Sequence, residues 1–468
     1  MSENGRRIAV AAVAGGLTLA ACSGGSALSG GGGGKGGTAT SGRLPSCPVG
    51  ALAQATTPVQ ITMWESMSQA NGEALTALTD RFNSSQTQVH VNLVNQTSYD
   101  DTFAKFTAGL ANGQLPDLAQ MEDIHLQPVI DSRAALPVQS CINASNYPES
   151  DFVPRTVKYW TVGGVQWAMP FSVSNPVLIY NRAAFTKAGL DPDRPPATLA
   201  ELATDAAALK RAGYAMGLKL DPWHLEQWSA LAGQLYANHG NGRDGRVTAV
   251  SFDNAAGQQI FSTLASMVRS GQAVTNPASG PSQFDNLLGI GQGKYAMTID
   301  TSAVLGTVYQ LLPQYKGVQL GVAPMPGRSD DGGVLVGGSA LYILTKDPAH
   351  QAATWKFMTF LDQPDSQAYW AAHTGYVPVR QSAASDPVMT AAWAREPGLK
   401  VAYEQLLAGG TGAAASGPVI GAYNDVRAAV LNAEESMYLS GVAPATALQN
   451  AAKAANAAIS AYNLRIGG

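Results

Sequence analysis

The chain has 468 residues, of which 46% are hydrophobic and 13% charged, with a formal net charge of −4 at pH 7. A charge this small, with the basic residues scattered, excludes the cationic surface of a nucleic-acid or anionic-membrane binder. At this length one hydrophobic core normally gives way to two lobes.

Arg6 and Arg7 form a positive start, and the apolar stretch from Ile8 is too short to span a bilayer. It closes on Leu19-Ala20-Ala21-Cys22, which resembles a bacterial lipobox. The alternative is a chance cysteine after an ordinary signal peptide, and the paired arginines also read as a twin-arginine export signal. The expectation is a lipoprotein signal peptide over 1–21, a mature chain beginning at a diacylated Cys22, and a Gly/Ser-rich tether over 22–46. The body then stands on the extracytoplasmic face of the cell membrane, held by lipid. Cys47 and Cys141 remain. An even pair in an exported chain points to a disulfide, the alternative being two separate buried thiols.

The body begins with alternating strand and helix signals. Val59, Ile61 and Met63 alternate with polar residues, which predicts a strand, and Asn71 is a candidate cap for a helix bearing Leu75, Leu78 and Phe82 on one face. Val89, Val91 and Leu93 predict a second strand. Phe103, Phe106 and Leu110 mark a second helix ending at Gly113, and Asp117–Met121 is a third strand. This order implies an α/β lobe with a mainly parallel sheet. In open α/β sheets ligands bind beyond the carboxyl ends of the strands, and there the chain places Trp64 and Glu65, then Tyr99, then Glu122 and Asp123. Each alone reads as a rim or solvated residue; together they predict one edge of a binding cleft.

A second α/β unit follows. Pro170–Pro176 leads into the apolar strand Val177–Tyr180, and Thr198-Leu199-Ala200-Glu201 is a capping box opening a helix with Leu202, Ala206 and Leu209 inward. Trp228 reads as core, whereas Trp223, following Pro222 at a strand-to-helix turn, is a candidate platform for an apolar ligand face. Tyr295–Ile299 is a further strand entering Asp300-Thr301-Ser302, and alanine-rich helices close the chain after Ala422.

Asn181–Pro192 with Pro195-Pro196, the run Gly293–Met297, Gly337–Leu341 and Thr374–Val379 together resemble the family 1 extracellular solute-binding proteins of bacterial ABC importers, and within them the glycerol-3-phosphate and glycerophosphodiester binders. The resemblance runs from about Gln60 to the last helices. It implies a two-lobed type II periplasmic-binding-protein fold, with lobe 1 over 47–172, lobe 2 over 173–298, a return to lobe 1 over 299–360 and mainly lobe 2 helices over 361–468. It also implies a monomer that captures a small polar solute (a sugar, polyol or glycerol-phosphate-type compound) and delivers it to an importer permease, without catalysis, cofactor or metal. Carried over residue by residue, ligand contacts fall on Tyr99, Glu122, Ser174, Ser302 or its neighbour Thr301, Gly338 and Tyr376. Trp223 is matched with a one-residue slip. Tyr99, Glu122 and Tyr376 are then expected to reach one solute from opposing lobes.

One position departs from the pattern. Where the glycerol-phosphate binders carry an arginine, this chain has Val419, which cannot make the bidentate contact that recognises phosphate; Arg427, two helical turns on, is expected to face elsewhere. The competing class is an extracytoplasmic lipoprotein hydrolase acting on a carbohydrate or phosphodiester. The chain has no His-Glu-x-x-His run and no Gly-x-Ser-x-Gly elbow, and Asp100-Asp101 and Glu434-Glu435 read as solvated charges. A structural surface lipoprotein would show repeats outside the tether, and none is present.

Overall fold

The computed structural model describes residues 44–278 and 284–467. Cys22 and the segment up to residue 43 lie outside the described residues. Among the described residues, no helix is long and apolar enough to cross a membrane.

Twelve strands are described: β1 (Val59–Glu65), β2 (Val89–Asn95), β3 (Leu118–Glu122), β4 (Thr161–Val162), β5 (Val165–Gln166), β6 (Met169–Ser174), β7 (Pro176–Asn181), β8 (Ala215–Leu220), β9 (Ala273–Pro277), β10 (Tyr295–Thr301), β11 (Leu320–Pro324) and β12 (Gly337–Ile343). Two five-stranded sheets order them as β2-β1-β3-β12-β6 and β11-β7-β10-β8-β9. β1 pairs in parallel with β2 and β3, while β12 runs antiparallel to β3 and β6. The second sheet repeats this, with β8 parallel to β9 and β10, and β7 antiparallel to β10 and β11. The sheets are therefore mixed rather than mainly parallel. In the first sheet the parallel part is the βαβ unit visible in the sequence, whereas in the second it includes β9, which the sequence reading did not contain. The antiparallel part of each forms around the strand that enters from the other lobe, β12 in the first sheet and β7 in the second.

The local signals fold as their chemistry dictates. In β1, Ile61 and Met63 are fully buried while Gln60 is exposed. The helix Gln69–Ser85 buries Leu75, Leu78 and Phe82, starting at Ser68 rather than capped by Asn71. Ser98 caps the helix Tyr99–Asn112 by accepting from Asp101 N, which puts Tyr99 on the helix rather than in a loop. At Thr198 both halves of the capping box form, with Glu201 N donating to Thr198 Oγ1 at 3.1 Å and Thr198 N to Glu201 Oε2 at 3.0 Å. Cys47 and Cys141 are joined, 94 residues apart in sequence.

The chain passes from the first sheet to the second through one residue, Asn175, between β6 and β7. Ser302, just after β10, lies against this crossing: its N–H donates to Asn175 O at 2.9 Å. Within 299–360, assigned from sequence to the first lobe, β11 joins the second sheet and β12 the first.

Candidate functional site

The carboxyl ends of β1, β3, β8 and β10 converge on a cavity of about 360 Å³ between the two lobes. That lies at the small end of ordinary ligand cavities. Tyr99, Glu122, Ser174, Trp223, Gly338 and Tyr376 all line it. Tyr99 Oη donates to Ser339 Oγ at 3.2 Å and lies 3.4 Å from Tyr376 Oη; the Tyr376 ring stacks on Trp370 at 5.3 Å. Burial raises both phenols, Tyr376 to about 12, so both stay protonated and available as donors.

Three expected residues are elsewhere. Trp64 is 8% exposed beneath Lys105, whose Nζ lies 4.5 Å from its ring centre, and it does not line the cavity. Glu65 accepts from Met67 N at 2.6 Å and from Asn95 Nδ2 at 3.1 Å, so its carboxylate is consumed in shaping the turn that carries Ser66 and Ser68 to the cavity wall. Both misplacements follow from Glu65 being the last residue of β1 itself. Ser302 is fully buried at the interlobe crossing, and its neighbour Thr301 reaches the cavity instead. Tyr99, Glu122 and Tyr376 also do not oppose one another. The first two belong to the first lobe, and Val377 bonds β6 through Val173 O, so Tyr376 is held to that lobe too. The facing wall is Lys219, Asp221, Trp223, Asp300 and Thr301 of the second.

Arg427 corrects the sequence reading most sharply, because it faces the cavity. The helix begins only at Tyr423, so Arg427 lies one turn inside it, over the Tyr423 ring at 5.4 Å, on the side towards the end of β3. Its Nε and Nη2 donate to Glu226 Oε1 and Oε2 at 2.8 and 2.9 Å, its Nη1 to Glu122 Oε1 at 2.9 Å, and Asp123 Oδ1 is 3.8 Å away. Val419 is 3% exposed, donates through its backbone to Asn241 O at 2.8 Å and does not line the cavity. The comparison of Val419 with a phosphate-binding arginine thus concerns a position away from the cleft.

The electrostatics follow from this arrangement. Burial opposes the charge on Arg427, but Glu226, Glu122 and Asp123 outweigh it and hold the guanidinium well above its usual range. Burial, aided by Asp100 and Glu226, pushes Glu122 up to about 7 against the pull of Arg427. Lys219 Nζ lies 2.7 Å from Asp300 Oδ2, both nearly buried. Among the described residues, both basic side chains of the cavity wall are therefore already paired with acids, while Asp100 and Asp221 stand in no ion pair. His224 is buried with Nε2 unpartnered, and burial lowers its pKa, keeping it neutral. Lys219, Asp221, His224, Asp300 and Arg427 were missed as cleft residues. The first four flank the ends of β8 and β10, where the same strand-end rule would have found them.

This is a two-lobed α/β receptor with a polar interlobe cleft. Residues 77–399 match the family model described as bacterial extracellular solute-binding protein, and the chain belongs to that family. It is 30% identical over 425 residues to the sn-glycerol-3-phosphate-binding periplasmic protein UgpB of Pectobacterium atrosepticum, covering 87% of this chain and 93% of the relative. It is 29% identical over 416 residues to the UgpB of Yersinia pestis, covering 86% and 92%. Among solved structures, UgpB from Mycobacterium tuberculosis in complex with glycerophosphocholine superposes with a TM-score of 0.72 at 22% identity, covering 87% of this chain and 99% of that one. The cyclic alpha-maltosyl-1,6-maltose binding protein from Arthrobacter globiformis gives 0.69 at 22% identity, covering 86% and 100%. At such identities these structures share the fold.

Proposed function

We propose that this protein is a lipid-anchored receptor that captures a small uncharged polyol or sugar in the interlobe cleft and delivers it to an ABC importer permease, without chemical change to the solute. The observation that carries the solute class is the pairing of Lys219 with Asp300 and of Arg427 with Glu226 and Glu122. A free phosphate would have to displace a buried carboxylate from either cation, whereas hydroxyls can share these groups as they stand. Trp223, Tyr99 and Tyr376 supply apolar faces and phenolic donors suited to a hydroxylated ring or chain. Support for the anchor is the Leu19–Cys22 run and the glycine-rich stretch behind it.

A second reading, a glycerol-phosphate-type solute, is favoured by Arg427 reaching the cleft and by the names of the relatives. A thermal-shift panel of sugars, polyols, glycerol-3-phosphate and glycerophosphodiesters on the soluble body separates the two. A neutral ligand at a hundred times its Kd should stabilise by about 2.7 kcal/mol. Stabilisation by glycerol-3-phosphate alone decides for the second reading.

A further inference from the structure

The fold brings together three side chains that no sequence motif connects. Asp100 is the second residue of the helix Tyr99–Asn112, Glu122 ends β3, and His125 closes the turn that follows. One ligand atom from each lies within 4.8 Å of the others. His125 is fully buried, and neither ring nitrogen has a hydrogen-bond partner; Asn424 approaches the ring without reaching hydrogen-bond geometry. Phe103 stacks flat on the imidazole at 4.1 Å and 3°, fixing its plane. A buried imidazole with both nitrogens idle is a costly arrangement that a ligand would relieve. The groups around it agree: four carboxyl groups, Asp100, Glu122, Asp123 and Glu226, share a single guanidinium, Arg427, so acidic oxygens outnumber cations there.

We propose that Asp100, Glu122 and His125 form a site for a divalent transition-metal cation, Zn²⁺ or Mn²⁺, in the floor of the cleft. One imidazole and two carboxylates suit such ions, whereas Mg²⁺ and Ca²⁺ prefer oxygen alone. Bonds of about 2.0–2.2 Å span at most about 4.4 Å between ligand atoms. The three atoms need to draw in by only a few tenths of an ångström, and Asp100, being exposed, is free to move. Glu122 keeps one oxygen on Arg427 and offers the other, and because Asp100 and Glu122 line the cavity, the open coordination positions face the cleft.

The test is calorimetric titration of the chelator-treated, tag-free chain with ZnCl₂, MnCl₂ and MgCl₂. One Zn²⁺ or Mn²⁺ per chain is expected, bound at least tenfold more tightly than Mg²⁺, with affinity falling at least tenfold in His125→Ala and in Asp100→Asn. His125→Ala risks the packing against Phe103. Asp100→Asn changes an exposed side chain and keeps the test decisive if the histidine variant fails to fold. Absence of binding to the wild type, or undiminished affinity in Asp100→Asn, overturns the proposal.

Discussion

Arg427 Nη1 lies 2.9 Å from Glu122 Oε1, joining a helix that packs in the second lobe to the end of β3 in the first. The same guanidinium is gripped from behind by both oxygens of Glu226, which is 1% exposed. Arg427 is thus the shared partner of one acid in each lobe, at the level where a solute would sit.

The two acids differ in what they lose without Arg427. Arg427→Met leaves Glu226 buried and unpaired, which should cost about 3–5 kcal/mol of unfolding free energy. At pH 5, where Glu122 is protonated, Glu122→Gln leaves the bidentate pair with Glu226 intact and should cost about 1 kcal/mol. Urea denaturation of both variants checks the order; equal losses would show that the interlobe bond is as important to folding as the bond within the lobe.

Glu122 also sets a pH dependence. Its folded pKa is raised to about 7, above the ordinary 4.5, chiefly by burial. Between those values the folded state binds the extra proton, so the group favours folding in acid, and that advantage is lost as pH rises through about 7. The wild type should therefore lose stability from pH 5 to pH 8 relative to Glu122→Gln, by on the order of 2–3 kcal/mol. Parallel denaturation curves at the two pH values measure the difference; identical slopes would place the Glu122 pKa near its ordinary value.

The parts of the fold that local chemistry specifies were legible. The alternation in β1, the apolar face of the helix Gln69–Ser85 and the capping box at Thr198 each state their structure within a few residues. The antiparallel halves of both sheets were not, because they form around β7 and β12, each the first strand after the chain has crossed between lobes, which periodicity does not report. The cleft shows the same division. Tyr99, Glu122 and Trp223 follow from the strand-end rule, while Glu65 was drawn away by a backbone amide two residues on. Arg427 was misplaced because residues 419–422 were counted as helix, and the helix starts only at Tyr423.

Cys47 and Cys141 close a long loop that includes β1, β2 and β3. Constraining a loop of this size contributes up to about 4–5 kcal/mol in the chain-entropy model. The double Cys→Ser variant should be less stable by up to that amount, and non-reducing peptide mapping of exported protein should recover the two peptides joined. Free thiols at both positions in exported protein would remove the disulfide from the account.

The proposed anchor rests on one atom. Cys22→Ser should move the protein from the membrane fraction to the medium or soluble fraction while solute binding by the body is kept. A variant that still sediments with membranes would show that something other than a lipid on Cys22 holds it.

Gly337 and Gly338 are adjacent in β12, and their substitutions should have opposite consequences. Gly338 has φ +90°, and a Cβ there would lie 2.0 Å from Ser172 O on the neighbouring strand, so neither the backbone nor its partner can accommodate it. Gly338→Ala should cost more than about 3 kcal/mol of stability. At Gly337 an added Cβ would instead lie 2.7 Å from Cζ2 of Trp223, the outer edge of a half-buried ring reaching across from the second lobe. That ring can swing aside, so Gly337→Ala should cost only about 1 kcal/mol. If Trp223 is the face on which the solute stacks, the displaced ring should weaken binding about tenfold, equivalent to roughly 1.4 kcal/mol. Calorimetry on Gly337→Ala with the best ligand of the panel reads this directly. Unchanged affinity in a folded Gly337→Ala protein would remove Trp223 from the binding surface.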